Sequence, residues 1–371
     1  MMSEAQECVP SSGPARRNLY HELLDVAQRQ NRPVSAHFEI TYRCNHTCPY
    51  CYNAIDPRHR ELTTEECLRV VNLMGDFNTL FVTLTGGEPL LRKDFFTIAE
   101  EVKRRHMAVR IYTNGFLIDE AMADRMKKLN PLEFGISIHG ADGPTHDRET
   151  RVRGSLDKLV NGVRHLKKRG LKVTLKTPIT HWNQHQVRDI KALADSLGCP
   201  ILFDPIITAR DDGNRDPLRY AASEDFLRRW FGEEFKDVRP DKEPWRRELD
   251  KEANNCKVGS GTYAIDPYGY IYPCVAWRRR LSNVRDIQSL ADLWRTSTEL
   301  EDVLDIARRI PKELLKKHEA GAYAVFCPGA AEREVGSGIK FYPAAELQAR
   351  MRKEAYEPLL NAPAEVAGGG K

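Results

Sequence analysis

Between residues 36 and 206 the sequence repeats one unit six times: a short β-rich run followed by an amphipathic helical run. The runs are residues 36–41, LFVTLT (80–85), AVRIY (108–112), LEFGISI (132–138), LKVTLKTPI (171–179) and PILFDPI (200–206). Helical patterns separate them. Thr63 and Glu66 form a capping-box pattern before the stripe Cys67, Val70, Val71 and Met74, which places Cys67 in the core. Further helices are predicted over Asp94–Arg105, Asp119–Leu129, from Ser155 to Gly170 with Leu156, Leu159, Val160, Val163 and Leu166 buried, and over 184–197. Strands joined by helices pair in parallel and need cover on both faces. The fold predicted is α/β, a partial (β/α)6 barrel.

In such barrels chemistry gathers at the C-terminal ends of the strands. Four unusual loops fall there: FEITYRCNHTCPYCY (38–52), TGGEP (85–89), YTNG (112–115) and SIHG (137–140). In the first, Cys44, Cys48 and Cys51 have the spacing C-x3-C-x2-C. Three thiolates complete neither a four-ligand zinc site nor the four-cysteine set of a cubane, so one metal position stays open. A zinc site completed by His46 or a distant residue is the competing reading of the spacing alone. In TGGEP, Gly86 and Gly87 let the backbone approach a ligand closely.

The chain has 371 residues, and no run approaches the roughly 20 apolar residues of a membrane span. Its 57 basic and 53 acidic residues give a net charge of +4, which does not argue for nucleic acid. MMSEAQECVPSSGPARR lacks the apolar segment of a secretory signal, so it reads as a disordered tail, and the nine cysteines point to a reducing, cytoplasmic compartment with metal chemistry. NLYHELLDVAQRQ (18–30) places Leu19, Leu23, Val26 and Ala27 on one helical face, ended by Pro33.

After residue 206 the alternation stops and charge rises, giving a connector with one amphipathic helix over Glu224–Glu234. CKVGSGTYAIDPYGYIYPC (256–274) then reads as a hairpin turning at Asp266, Pro267, Tyr268 and Gly269. A hairpin brings its own ends together, so Cys256 and Cys274 can meet, and Cys327 of FCPG can join them after helical residues 287–309. Cys8 and Cys199 have no partner in this pattern, and Cys199 is expected in the core.

CNHTCPYC and TGGEP together resemble the radical S-adenosylmethionine (SAM) enzymes, and the likeness covers about residues 34–210. It implies a [4Fe–4S] cluster on Cys44, Cys48 and Cys51, whose open iron chelates SAM and whose electron cleaves it to a 5′-deoxyadenosyl radical. It further implies Tyr50 near the adenine, Gly86, Gly87 and Glu88 at the aminocarboxylate end of SAM, Ser137 at the ribose, and Arg151 as a carboxylate-binding arginine chosen from the three of RETRVRG. His139 stands where relatives have an aspartate or tyrosine, facing substrate or serving the loop structure.

The C-terminal pattern C-x12-G-x4-C with a later cysteine, and the helix of SLADLW (289–294), resemble the SPASM and twitch extensions that hold auxiliary iron–sulfur clusters. Cys256, Cys274 and Cys327 are then the auxiliary ligands. Full SPASM domains have seven cysteines, so at most one cysteine-based auxiliary cluster is expected here, its last position open or filled by substrate, His318 or Glu319.

The domain organisation read from this is a tail and leading helix (1–33), a barrel (34–210), a connector (211–255), a small α+β cluster-binding domain of hairpin plus helix (256–345), and a C-terminal helix with a disordered tail (346–371). The likeness implies hydrogen abstraction from a ribosomally made peptide, for crosslinking, epimerisation or oxidation. A sugar or amino-acid derivative is the alternative substrate, and a non-catalytic electron-transfer or scaffold protein the third reading. Implied partners are a flavodoxin- or ferredoxin-type electron donor and, with leader recognition otherwise left to the N-terminal segment, a separate small leader-peptide-binding protein.

Overall fold

The structure, a computed structural model, describes residues 30–239, 243–250 and 254–361 together with Glu22, Val26 and Ala27. The two predicted tails, Cys8 and most of the helix expected over 18–30 lie outside the described residues.

Six parallel strands carry the barrel: β1 (Ser35–Thr41), β2 (Phe81–Gly86), β3 (Ala108–Thr113), β4 (Glu133–Ser137), β5 (Val173–Pro178) and β6 (Ile201–Asp204). Side chains alternate between the faces of a strand. One face supplies Phe38, Ile40, Val82, Leu84, Ile111, Phe134, Ile136 and Leu175, all fully buried in the main core. The crossover helices also contribute to that core: α1 (Thr64–Asp76), α2 (Phe95–Arg104), α3 (Glu120–Leu129), α5 (Ser155–Lys168) and α6 (Val187–Ser196). The opposite phase is polar, with His37, Glu39, Thr83, Thr85, Arg110, Tyr112, Ser137 and Lys176 in those positions. The predicted capping box at the start of α1 is formed: Thr63 Oγ1 accepts from Glu66 N–H at 3.2 Å, and Glu66 Oε2 accepts from Thr63 N–H at 2.8 Å.

Between β4 and α5 lies α4 (Gly143–Thr150), a helix the hydrophobic pattern does not signal because it buries His146, Glu149 and Thr150 instead of an apolar stripe. After β6 come α7 (Glu224–Phe231) and then the hairpin β7 (Thr262–Ile265) and β8 (Tyr270–Tyr272). Its turn forms as expected: Gly269 N–H donates to the Asp266 carbonyl at 3.0 Å, with Gly269 at φ +90°.

The hairpin belongs to the barrel's own sheet. β7 pairs in parallel with β1, Ser35 opposite Thr262 through Phe38 opposite Ile265, and the strand order is β6-β5-β4-β3-β2-β1-β7-β8-β9, with β9 at Ser282–Asn283. The helical stretch expected over 287–309 is two helices, α8 (Leu290–Thr296) and α9 (Thr298–Ile310), divided at Ser297, whose hydroxyl caps the second. α10 (Pro328–Val335) and α11 (Pro343–Leu360) follow, and α9, α10 and α11 enclose a second core around Trp277, Phe326 and Tyr342.

An ionic bridge ties this second unit to the barrel. Arg278 donates to both carboxylate oxygens of Glu39 on β1, at 2.7 and 2.9 Å, and to Asp211 at 2.8 Å. All three side chains are at most 9% exposed.

Candidate active site

The C-terminal ends of the six barrel strands surround a cavity of about 370 Å³. Cys44, Cys48 and Cys51 line it together with Tyr50, Gly86, Gly87, Ser137 and His139. The cysteine loop is laced to its neighbours by backbone hydrogen bonds. Gly87 N–H donates to the Thr41 carbonyl at 2.7 Å, Glu88 N–H to that of Arg43 at 2.9 Å, and Thr47 N–H to that of Thr150 at 3.1 Å. The two glycines are required by this closeness. A Cβ on Gly86, which sits at φ +130°, would lie 2.1 Å from the Thr41 carbonyl oxygen, and one on Gly87 would lie 2.4 Å from that of Arg43.

The thiols are positioned by local donors: Cys44 Sγ accepts from His46 N–H at 3.4 Å, and the Cys51 N–H closes a turn on the Cys48 carbonyl at 3.1 Å. Burial pushes all three thiols up, Cys51 to about 11, and repulsion from Cys51 and Cys44 adds to the effect at Cys48. A metal must therefore displace their protons to bind. Among the described residues no group of three or more His, Cys, Asp or Glu is gathered tightly enough to hold a single metal ion. Three thiols lining one cavity beside a glycine cradle are soft donors that suit an iron–sulfur cluster.

Beneath the loop, the Tyr50 hydroxyl shares a 2.8 Å hydrogen bond with His139 Nδ1. His139 packs beside His146, and burial holds its imidazole well below the usual histidine range, so it is neutral. Glu149 sits next to Tyr50, accepts from the Thr180 hydroxyl, and is pushed up to about 7 by burial. These groups brace the ring of Tyr50 at the cavity wall.

Two of the residues expected at SAM do not line this cavity. Glu88 is fully buried and does not line the cavity; its carboxylate accepts from Leu90 N–H at 3.0 Å, Asn114 N–H at 2.8 Å and the Thr113 hydroxyl at 2.8 Å. Arg151 is exposed at the end of α4, at φ +59°, and is likewise absent from the cavity wall. Residues not singled out in the sequence do line it, among them Asn53, Lys176 and Asp204; Asn53 donates to the Gly86 carbonyl at 2.9 Å. A lysine at alternate spacing with Pro178, on a strand aimed at the mouth, is the signal that could have found Lys176.

The second cysteine set occupies the other core. Cys256, Cys274 and Cys327 are half-buried and pack against that core. Burial pushes Cys256 up to about 11, with Cys327 close enough to add to the effect. Cys327 is the N-cap of α10, and that helix is pressed on the turn after Cys274: a Cβ on Gly329 would lie 2.2 Å from the Ala276 carbonyl oxygen. Half-buried soft donors on touching loops fit a further cluster. His318 packs against Phe341, ring centroids 4.4 Å apart and tilted by 43°, and its Nε2 lies 3.5 Å from Glu346 Oε1.

A parallel partial barrel with a three-thiol loop and a glycine cradle at its mouth defines a SAM-cleaving iron–sulfur enzyme class. Residues 38–196 match the Radical SAM superfamily, so the chain carries a radical SAM domain, which implies a [4Fe–4S] cluster and SAM. The AdoMet-dependent heme synthase of Nitratidesulfovibrio vulgaris is 25% identical over 291 residues, covering 70% of this chain and 78% of that protein. The PqqA peptide cyclase of Granulibacter bethesdensis is 31% identical over 168 residues, covering 45% of each. The solved structure of native anSMEcpe with bound AdoMet and Cp18Cys peptide has a TM-score of 0.63 at 17% identity, covering 88% of this chain and 98% of that one, and so shares the fold. Among the described residues no helix is long and apolar enough to cross a membrane.

Proposed function

We propose that this chain holds a [4Fe–4S] cluster on Cys44, Cys48 and Cys51, binds SAM against Gly86, Gly87, Tyr50 and Ser137, and removes a hydrogen atom from a peptide substrate at the same cavity. The observation that carries the reading is the meeting of the three thiols and the glycine cradle on one cavity wall. When bound, the cluster and SAM supply a 5′-deoxyadenosyl radical. The chain's own residues bind, orient and exclude water. The glycine pair lets backbone groups reach the ligand, and the neutral His139 anchors Tyr50 by its hydroxyl. Tyr42, Tyr52, Pro178, Ile206 and Ile207 give the cavity an apolar wall that keeps competing hydrogen donors out. Glu88 acts from outside the cavity, on loop shape. Cys256, Cys274 and Cys327 hold an auxiliary cluster, and an external flavodoxin or ferredoxin delivers the electron.

The peptide is favoured by an open rim, where Ile55 lines the cavity at 66% exposure, and by peptide-acting relatives on the same fold. A second reading, a tetrapyrrole precursor, is favoured by the heme synthase match, which extends over more of both chains than the radical SAM domain alone.

The test is anaerobic incubation of reconstituted protein with reductant and SAM, plus either the short peptide encoded beside its gene or iron-coproporphyrin III. A mass change in the peptide supports the proposal. Unchanged peptide mass and hydrogen isotope content despite SAM cleavage would count against it. In parallel, Cys256→Ala is expected to lower iron from about eight to about four per chain.

A further inference from the structure

Beside the mouth of the cavity, three segments of the chain meet in an aromatic cluster. The turn after β5 supplies an exposed His181 and a half-buried Trp182, the short helix Asp216–Tyr220 supplies a half-buried Tyr220, and α4 supplies Arg148. The Trp182 and Tyr220 rings meet edge to face with centroids 4.9 Å apart, and His181 is stacked on Tyr220 at 5.9 Å. The Arg148 guanidinium lies 4.1 Å from the centroid of the Trp182 ring. His181 N–H donates to the Tyr220 carbonyl at 3.1 Å, which joins the two loops into one surface. That surface continues the cavity wall. Pro178, Ile206, Ile207 and Thr208 line the cavity from the same two stretches of chain, and α4 is tied to the cysteine loop through Thr150 and Thr47.

The charge of this rim has one dominant sign. Arg148, Arg151 and Arg153, at the end of α4 and just after it, and Arg215 and Arg219, at the short helix, are all exposed. Among the described residues none of them lies within ion-pair distance of a carboxylate. Elsewhere exposed arginines are held in pairs, such as Arg58 with Asp56, Arg104 with Glu101, Arg188 with Asp237 and Arg309 with Glu313. The acids of the rim segments are otherwise engaged. Asp142 accepts from Thr145 N–H at 2.8 Å, Asp147 from Ser155 N–H at 3.0 Å, Glu149 is fully buried, and Asp212 pairs with Arg210 at 2.8 Å. Asp216 is the exposed acid left beside the arginines. Half-exposed Trp and Tyr rings among arginines have the composition of a binding hot spot.

We propose that this rim is the docking surface for an acidic segment of the substrate peptide, a segment next to the residue that enters the cavity. The assignment rests on the peptide reading given above. Glutamate and aspartate carboxylates take the arginines' free forks, and an apolar side chain of the same segment covers Trp182 and Tyr220. A peptide is favoured over a nucleic acid strand because the rim opens onto the apolar wall of Tyr52, Pro178, Ile206 and Ile207, not onto a basic groove.

The experiment uses the full chain with its clusters reconstituted anaerobically. The proteins are wild type, the rim variants Arg148→Gln/Arg153→Gln and Arg215→Gln/Arg219→Gln, Trp182→Ala, and a control, Arg164→Gln/Arg308→Gln, which alters exposed arginines away from the rim. Three fluorescein-labelled probes are titrated by fluorescence polarisation: a dodecapeptide of Glu, Leu and Gly, its counterpart with Gln for Glu, and a single-stranded DNA dodecamer. Wild type is expected to bind the Glu peptide about tenfold tighter than the Gln peptide. Each rim variant brings that difference within about twofold, the control keeps it, and Trp182→Ala weakens both peptides by about fivefold.

Equal binding of the two peptides by wild type, a difference that survives both rim variants, or an equal loss in the control overturns the proposal. So does tighter binding of the DNA than of the Glu peptide. Circular dichroism and iron content establish that each variant is folded, and the two rim variants, on separate segments, test the surface independently. The mass assay described above judges the peptide reading by itself. An unchanged peptide mass there sinks the substrate reading, while the rim variants and the control still judge the surface.

Discussion

At the level of single residues, Glu88 separates what a motif implies from what a side chain does. Its carboxylate has no solvent exposure and takes hydrogen bonds from β2's own following turn and from the end of β3. It staples the loop that carries Gly86 and Gly87 and so fixes the backbone of TGGEP beside the cavity. Burial pushes Glu88 up to about 7, above its ordinary 4.5. The folded chain then binds this proton more tightly than the unfolded chain does. The Glu88 contribution to stability is therefore greatest below about pH 4.5 and falls as pH rises toward 7, by at most about 3 kcal/mol. Glu88→Gln is expected to remove that component, seen as a shallower fall in urea-unfolding free energy between pH 4.5 and 7 than in wild type. Equal slopes in the two proteins would show that Glu88 is ionised throughout.

The elements were legible where an apolar period marked them. All six barrel strands, the capping box of α1 and the turn at Asp266 follow from alternation and turn chemistry within short windows. α4 did not, because its buried face is His146, Glu149 and Thr150, and a polar buried face has no signature in a hydrophobic pattern. The cavity divides the same way. Cys44, Cys48, Cys51, Gly86 and Gly87 announce themselves by spacing, whereas Lys176 and Asp204 are single residues whose meaning comes from strand register. At this scale α10 offers a direct test of the second cysteine set. Gly329→Ala places a methyl group against the Ala276 carbonyl and lifts the Cys327 end of the helix off the Cys274 turn. With the proposed auxiliary cluster on these cysteines, the expected result is a fall from about eight irons to about four, with helical circular dichroism retained. Unchanged iron content would mean that the three loops need not touch for the cluster to form.

Across the whole molecule, the barrel and its C-terminal unit share one sheet and one buried ionic bridge. Neither was visible locally, since the pairing of β1 with β7 and of Glu39 with Arg278 joins residues more than 200 positions apart. Arg278→Met removes the cation shared by two buried carboxylates, leaving Asp211 with Arg333 at 3.7 Å and Glu39 with the Tyr42 hydroxyl at 2.9 Å. Stripping one partner from such a group costs about 3–5 kcal/mol. Chemical denaturation is expected to show a loss of that size, with Glu39→Gln in the Arg278→Met background recovering part of it. A loss below about 1 kcal/mol would mean that water reaches the bridge.

The place of β7 also sets a schedule for making the protein. β1 lies between β2 and β7, and β7 is encoded roughly 220 residues after β1 ends. At the usual pace of translation, roughly 5–20 residues per second, one edge of β1 waits on the order of ten to forty seconds for its neighbour. Throughout that wait the nascent chain presents a bare strand edge leading into the three-thiol loop. Such edges recruit other chains. Holding β1 and its cysteines apart from other chains until residue 265 has emerged is thus a demand that this topology places on the cell's folding machinery.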